Sequence, residues 1–456
     1  MNLQKLLSDQ KEFFLTNKTK DISFRIEQLK KFKSVLKNNE ESLLEAIYDD
    51  FGKSEYETQI TELSVIYGEL NEAIQKVKRW SRKKRVPANA ANFPAKSCIF
   101  PEPYGNTLVI GAWNYPFQLS LAPIVSSLGA GNTVILKPSE IAPTSSAIIA
   151  KLINSHFPAE YFAVVEGGVD ITTELLSYEY DKIFFTGSSR VGKIVYQAAA
   201  KHLTPVTLEL GGKSPTFVLS DCNINLTAKR IVWGKFLNAG QTCVAPDYIL
   251  VHKSIEKEFL QALQKFIQKF FGDIDDAKEN YVRIINDANF TRLESLIDKE
   301  KVYCGAKINR EKKFIAPTVL HNVTFDDEVM KEEIFGPILP VIAFDNLDDV
   351  IMKVKRRPKL LSCYIYSKNK KKYRKILTEI SFGGGAINDS VMHLTNGNLP
   401  FGGVGSSGMG SYHHEAGFKS FSHYKSVLNK SYWFEPRIKY FPYSKRKLKL
   451  IKFLSQ

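Results

Sequence analysis

From Asn106 onward the chain alternates short β-rich apolar runs with helical stretches, and this alternation limits the fold more than any other feature. Apolar runs of four or five residues, separated by helix-length segments, suit strands covered on both faces. That is the βαβ arrangement around a parallel sheet. The first block predicts strands over residues 107–110, 133–136, 162–166, 182–185 and 206–210, with helices over 116–129, 145–155 and 190–202. A second block predicts strands over 216–219, 248–251, 338–344, 361–366 and 386–388, and helices over 226–238, 255–271 and 347–354. The fold class is therefore α/β with two parallel-sheet domains, the first organised for nucleotide binding. No Ser/Gly linker separates them, and the boundary falls near Leu210.

The first eighty residues read differently. Phe24, Ile26, Leu29, Phe32 and Leu36, then Leu43, Leu44, Ile47 and Tyr48, recur near helical spacing among Lys and Glu. A further helix is expected over 56–80. Pro87, Pro94, Pro101 and Pro103 then break the pattern around a strand at 98–100. The 456 residues are enough for two or three domains. No apolar stretch reaches the length of a bilayer span, and Met1-Asn2-Leu3-Gln4-Lys5 opens no leader-like run. Five scattered cysteines form no metal-ligand spacing and suit a reducing compartment. A soluble cytoplasmic protein without a bound metal is expected.

A net charge of +15 raises the question of an anionic partner. Basic residues concentrate at 76–85 and 439–452, but no nucleic-acid module accompanies them, so solvated helix faces are the first reading and nucleic acid is not an expected partner. The tail is more suggestive. Lys445, Arg446, Lys447, Lys449 and Lys452 interleave with Leu448, Leu450, Ile451, Phe453 and Leu454. Such a segment can lie on an anionic membrane surface, or else pack on the protein or stay disordered.

Several short motifs carry chemistry. Gly240-Gln241-Thr242-Cys243 follows a predicted helix, and a glycine there turns the backbone without a side chain over the approach to the sulfur. In Val206-Thr207-Leu208-Glu209-Leu210-Gly211-Gly212-Lys213 a carboxylate lies inside an apolar strand, where burial raises its pKa toward that of a general base. Trp113-Asn114-Tyr115-Pro116 offers an amide N–H at a turn, able to donate to an oxyanion. Lys137-Pro138-Ser139-Glu140 ends a strand at the sheet edge where ligands bind, although a helix cap by Ser139 explains it locally as well. Phe185-Thr186-Gly187-Ser188 through Gly192 joins a strand to a helix N-terminus suited to a pyrophosphate. Its Gly-x-x-x-x-Gly spacing is not the full dinucleotide fingerprint. Glu332-Glu333-Ile334-Phe335-Gly336-Pro337 sets a carboxylate beside a ring and a Gly-Pro turn.

Taken in order, Trp-Asn114-Tyr-Pro, Lys137-Pro-Ser-Glu140, Phe185-Thr-Gly-Ser188, Leu208-Glu-Leu-Gly-Gly-Lys213, Gly240-Gln-Thr-Cys243 and Glu333-Ile-Phe-Gly-Pro337 resemble the aldehyde dehydrogenase superfamily. The short N-terminal segment and the run Pro400-Phe-Gly-Gly-Val-Gly-Ser-Ser-Gly-Met-Gly410 resemble its class 3 branch, which takes fatty and aromatic aldehydes. The resemblance covers about residues 21–425. It implies a Rossmann-like cofactor domain over 1–209, a catalytic thiol domain over 210–416, and an oligomerisation segment with the basic tail over 417–456. It also implies a small β extension with an oligomerisation strand near 96–104, and a homodimer.

The same resemblance implies a mechanism. Cys243 attacks the aldehyde, and the oxyanion is held by the Asn114 amide and the Cys243 backbone N–H. Hydride passes to NAD, with NADP possible, and Glu209 activates the water that hydrolyses the thioester. Lys137 and Glu140 bind the adenosine ribose, Gly187, Ser188 and Gly192 border the dinucleotide, and Glu333 with Phe335 position the nicotinamide ribose. Tyr115 and the region of His413 are expected near the substrate mouth, and the tail suggests a medium- or long-chain, polyene or aromatic aldehyde. Two other readings are an acylating dehydrogenase that uses CoA or phosphate and an inactive cofactor-binding relative. The base Glu209 favours water over the first, and intact Cys243, Glu209 and Asn114 argue against the second.

Overall fold

The structure, a computed structural model, describes residues 2–272 and 281–454. The alternation from Asn106 onward builds two largely parallel sheets. The first has six strands in the order Gly408–Met409, Val206–Leu210, Lys182–Gly187, Asn106–Ile110, Thr133–Lys137 and Phe162–Val164. All pair in parallel except the short edge strand Gly408–Met409, which runs antiparallel with Gly408 opposite Glu209. The second has seven strands: Val302–Cys304, Thr318–Leu320, Ile338–Phe344, Tyr248–His252, Pro215–Val218, Leu360–Tyr366 and Phe382–Ile387. Only Val302–Cys304 is antiparallel there. Strands buried on both faces need helices on both sides, which explains their unbroken apolar character.

The N-terminal helices Ile22–Asn38, Glu40–Phe51 and Ser64–Trp80 pack on helices Pro116–Ala130 and Pro143–His156, which themselves lie against the first sheet. Leu29, Phe32, Ile66, Leu70 and Val77 share a core cluster with Phe117, Leu121 and Leu128 of helix Pro116–Ala130. Between these layers that helix is buried almost all round, and its apolar sequence follows from this. Gly131 ends it with a φ of +99°, and a β-carbon there would stand 2.6 Å from the Arg25 guanidinium carbon. Buried Arg25 bonds the Thr19 carbonyl at 2.7 Å and the Gly129 carbonyl at 3.4 Å and so ties the first helices to this corner.

Several elements depart from expectation for physical reasons. The helix expected over 226–238 is Ile224–Phe236. It stops early because Asn238 and Ala239 adopt left-handed φ of 53° and 51°. The strand expected at 98–100 extends over Ala95–Pro103, pairing along its length with Ser422–Lys430 and more briefly with Lys84–Val86 in a three-stranded antiparallel sheet. Pro101 and Pro103 fit because the Lys84–Val86 strand ends opposite Ile99, leaving that side of the prolines without a ladder. Thr318–Leu320 and Val302–Cys304 are too short to show in the periodicity. The chain also returns to the first sheet before residue 416. Gly408–Met409 completes that sheet's edge, and helix His414–Ser420 packs on Pro116–Ala130.

Candidate active site

Cys243 lies in the connection between strands Pro215–Val218 and Tyr248–His252 of the second sheet, just after the left-handed turn Asn238-Ala239-Gly240. Two consecutive non-glycine residues in this conformation are strained, by about 1–3 kcal/mol each, so the surroundings must impose it. The contacts that do so are visible. Asn238 N–H donates to Glu57 Oε1 at 2.7 Å. Asn238 Nδ2 donates to the Asn114 carbonyl at 2.9 Å and to the Gln241 carbonyl at 3.1 Å. Gln241 Nε2 reaches the Arg283 carbonyl, and Gln241 Oε1 accepts from Ile285 N–H. Gly240 has a φ of +73°, and a β-carbon there would sit 2.3 Å from the Gly336 carbonyl oxygen. The glycine is needed by the neighbouring Glu333–Pro337 turn, rather than to clear the approach to the sulfur as expected.

Asn114 is buried, and its Nδ2 donates to the Gln241 carbonyl at 3.0 Å. An amide nitrogen carries two N–H groups, so one donor remains beside the Cys243 loop. Tyr115 Oη and Thr242 Oγ1 lie 2.6 Å apart, which fastens the next residue to that loop too. His413 has a φ of 75°, and its Nδ1 meets buried Glu69 at 2.6 Å.

Glu209 lies in strand Val206–Leu210 and is buried, and neither carboxylate oxygen has a partner among the described residues. Burial alone pushes its pKa well above the usual carboxylate range. Such a group is costly unless it takes up a proton or meets a bound polar species. Burial also pushes the Cys243 thiol up to about 12, and the negative charges of Glu333 and then Glu209 add to the shift. The sulfur and both carboxylates therefore share one electrostatic environment. A thiol raised this far is protonated at neutral pH.

Glu333 is held by a packed turn. A β-carbon at Gly211 would fall 2.0 Å from its Oε2, and the Gly212 N–H donates to it. Its pKa is raised to about 8, first by burial and then by nearby Asp247. Lys213 Nζ clamps this region, bonding Asp247 at 2.6 Å, the Val329 carbonyl at 2.7 Å and the Glu332 carbonyl at 2.8 Å. Asp247 in turn accepts from Ile334 N–H. Phe335, with a φ of 48°, meets Trp113 edge-on with ring centroids 5.4 Å apart. Lys235 is fully buried without a hydrogen-bond partner among the described residues, and burial lowers its pKa to about 8.

The remaining candidates line the carboxyl edge of the first sheet. Lys137 ends its strand, is buried, and pairs with the partly exposed Glu140. Ser139 does not cap the following helix, which begins at Pro143. Gly187 ends its strand, and Ser188 caps helix Ser189–Ala200 by accepting from Val191 N–H. A β-carbon at Gly192 would stand 2.6 Å from Leu210 Cδ2, so this glycine lets the helix approach the sheet. Helix N-terminus, buried ammonium and half-exposed carboxylate at one sheet edge suit a dinucleotide with a free ribose. Among the described residues no group of three His, Cys, Asp or Glu is arranged to hold a metal ion.

Lys53, Glu57, Glu62, Asn238, Lys213 and Lys235 escaped the sequence reading as site residues. Within amphipathic or basic stretches such residues read as solvated faces, and only Lys213 and Asn238 adjoined a recognised motif.

The family model described as "Aldehyde dehydrogenase family" matches residues 2–427. The 4,4'-diaponeurosporen-aldehyde dehydrogenase of Staphylococcus aureus is 47% identical over 446 residues, covering 97% of each chain. The dimeric NADP-preferring aldehyde dehydrogenase of Rattus norvegicus is 44% identical over 421 residues, covering 92% of this chain and 93% of its own. A solved structure described as the substrate-bound state of Staphylococcus aureus AldH superposes with a TM-score of 0.97, at 46% identity and full coverage of both chains.

The raised pKa of the half-buried Cys243 thiol makes a pH prediction. Alkylation of Cys243 by iodoacetamide, followed on its peptide by mass spectrometry, should be slow at pH 7–8 and still rise beyond pH 10. Because ionised Glu209 raises the thiol pKa, Glu209→Gln should move that rise to lower pH. A plateau near pH 8 in the unmodified protein would contradict this environment.

Proposed function

The chain belongs to the aldehyde dehydrogenase family, and from that premise we propose that it oxidises an aldehyde to the carboxylic acid through a thioester on Cys243. The observation that carries this reading is a half-buried thiol beside a buried Glu209 carboxylate whose oxygens have no partner among the described residues. An aldehyde carbon releases hydride readily only once it is tetrahedral, and sulfur both creates that state and leaves an activated acyl group.

In this reading the Cys243 thiol gives up its proton to solvent and Sγ bonds to the carbonyl carbon, the carbonyl π pair moving onto oxygen. The free N–H of Asn114 Nδ2 and the Cys243 backbone N–H receive the oxyanion, and losing one such donor would cost on the order of a hundredfold in rate. Bound NAD or NADP supplies the hydride acceptor. The Glu209 carboxylate deprotonates a water molecule, which adds to the thioester, and passes that proton to the departing Cys243 sulfur, so that the acid is released and the thiol restored. Lys137 and Glu140 would hold the adenosine ribose, Gly187, Ser188 and Gly192 would border the pyrophosphate, and Glu333 with Phe335 would orient the nicotinamide ribose. The half-exposed Glu140 carboxylate disfavours an added 2′-phosphate, so NAD is the proposed cofactor, with NADP tolerated beside Lys137.

For the substrate we propose a lipophilic aldehyde, of the long-chain or polyene kind named for the Staphylococcus aureus relative. Peripheral contact of helix Lys445–Leu454 with an anionic membrane agrees with its basic residues and exposed Leu448, Leu450 and Phe453, near exposed Trp433, Phe441 and Tyr443. A homodimer is proposed through strand Ser422–Lys430. It forms an outer edge of its sheet and exposes Tyr424, Val427 and Leu428, as unpaired edges suited to further pairing do.

Cys243→Ser should abolish NAD(P)-dependent oxidation across a panel of short, long-chain and aromatic aldehydes while NAD binding persists. Wild-type-like turnover in that variant would overturn the assignment. Removing residues 445–456 should reduce salt-sensitive sedimentation with phosphatidylglycerol vesicles and lower activity on long-chain, but not short, aldehydes. Unchanged sedimentation would remove the membrane proposal and leave the reaction class standing.

A further inference from the structure

Behind Asn114 and the Cys243 loop lie three charged side chains of the N-terminal segment that the reaction scheme does not use. Lys53 and Glu62 are wholly shielded from solvent, and Lys53 Nζ bonds Glu62 Oε1 at 2.8 Å. The other carboxylate oxygen, Glu62 Oε2, accepts from Phe117 N–H at 2.8 Å and Gln118 N–H at 3.1 Å. These are orphan donors in the first turn of helix Pro116–Ala130, whose N-cap residue Tyr115 provides no side-chain bond. Lys53 Nζ also reaches the Asn114 carbonyl at 3.4 Å and stands 4.4 Å from the Tyr115 ring centroid. Glu57, with its pKa raised by burial, holds Asn238 N–H.

The backbone explains how two carboxylates five residues apart act together. In an α-helix residues five apart point about 140° from each other. Here Gln59–Leu63 forms a π-helical segment, a wider turn that brings positions 57 and 62 toward one face. From that face Glu62 and Lys53 fix the start of the Asn114 turn while Glu57 fixes the left-handed turn before Cys243. Asn238 Nδ2, donating to the Asn114 carbonyl, joins the two halves.

We propose that Lys53, Glu57 and Glu62 are positioning residues that hold the Asn114 amide in register with the Cys243 sulfur. The proposal rests on the reading of Asn114 as oxyanion donor and adds how that donor is set. A buried ion pair contributes little net stability, because desolvation offsets the attraction. Its effect here is geometric: moving the Asn114 peptide by a fraction of an ångström would displace the N–H from the forming oxyanion. Lys53 and Glu62 are wholly shielded from solvent, which leaves a bound molecule no access to them, so their loss acts through Asn114.

A kinetic double-variant cycle on the full-length protein tests this, with hexanal and NAD as probes. Lys53→Met should lower kcat by ~10–100-fold, as expected for a misaligned oxyanion donor, with KM for NAD changed less than ~2-fold. In an Asn114→Ala background the same substitution should cost less than ~3-fold, because coupled residues are non-additive. Glu62→Gln, nearly isosteric, carries the same cycle if Lys53→Met fails to fold. Undiminished kcat in the single variant, or an equal fold-loss in both backgrounds, would overturn the positioning role. Wild-type-like kcat in Asn114→Ala alone would instead overturn the parent reading of Asn114.

Discussion

The carbonyl oxygen of Gly336 occupies the space where any β-carbon at residue 240 would lie. This close approach makes the Cys243 loop and the Glu333–Pro337 turn one packed unit. It goes with the left-handed run Asn238-Ala239-Gly240, which in turn sets where the thiol emerges. The strain of that run is balanced by hydrogen bonds from three directions. Glu57 takes one N–H, Gln241 ties the loop to Arg283 and Ile285, and Asn114 bonds its carbonyl. A thiol held by a loop this constrained has a fixed position, which a reaction at a planar carbonyl requires.

Each sheet supplies a different part of the chemistry. The first brings Glu209, Asn114 and the residues proposed for the dinucleotide to its carboxyl edge. The second anchors the Cys243 loop and, through Lys213 and Asp247, the Glu333 turn. Electrostatics joins them. Glu333 and Glu209 both raise the thiol pKa, and both carboxyls are themselves raised by burial. Each of these three groups disfavours charge on the other two. In the proposed function, ligand binding and proton transfer then create the nucleophile only when an aldehyde is at hand.

Much of this was legible in the sequence, and the reasons differ by element. Strand ends coincide with the motifs because ligands in parallel sheets gather where strands stop, so Lys137, Gly187 and Glu209 could be read from apolar runs. The Asn238-Ala239 turn could not, since neither residue type demands a left-handed conformation and tertiary contacts impose it. Lys53 and Glu62 were equally hidden. On an amphipathic segment a charge normally marks the wet side, and nothing local says that a helix N-terminus from residues 116–118 will cover it. The pairing of Ala95–Pro103 with Ser422–Lys430 joins segments more than three hundred residues apart, beyond the reach of any local pattern.

The central claim is that Cys243 carries the acyl group and Glu209 clears it. Glu209→Gln protein mixed with a long-chain aldehyde and NAD, quenched in acid and digested, should show the acyl mass on the Cys243 peptide, accumulating toward one equivalent. The same quench of the unmodified protein should show far less. No acyl mass on Cys243, or acylation at another residue, would contradict the account.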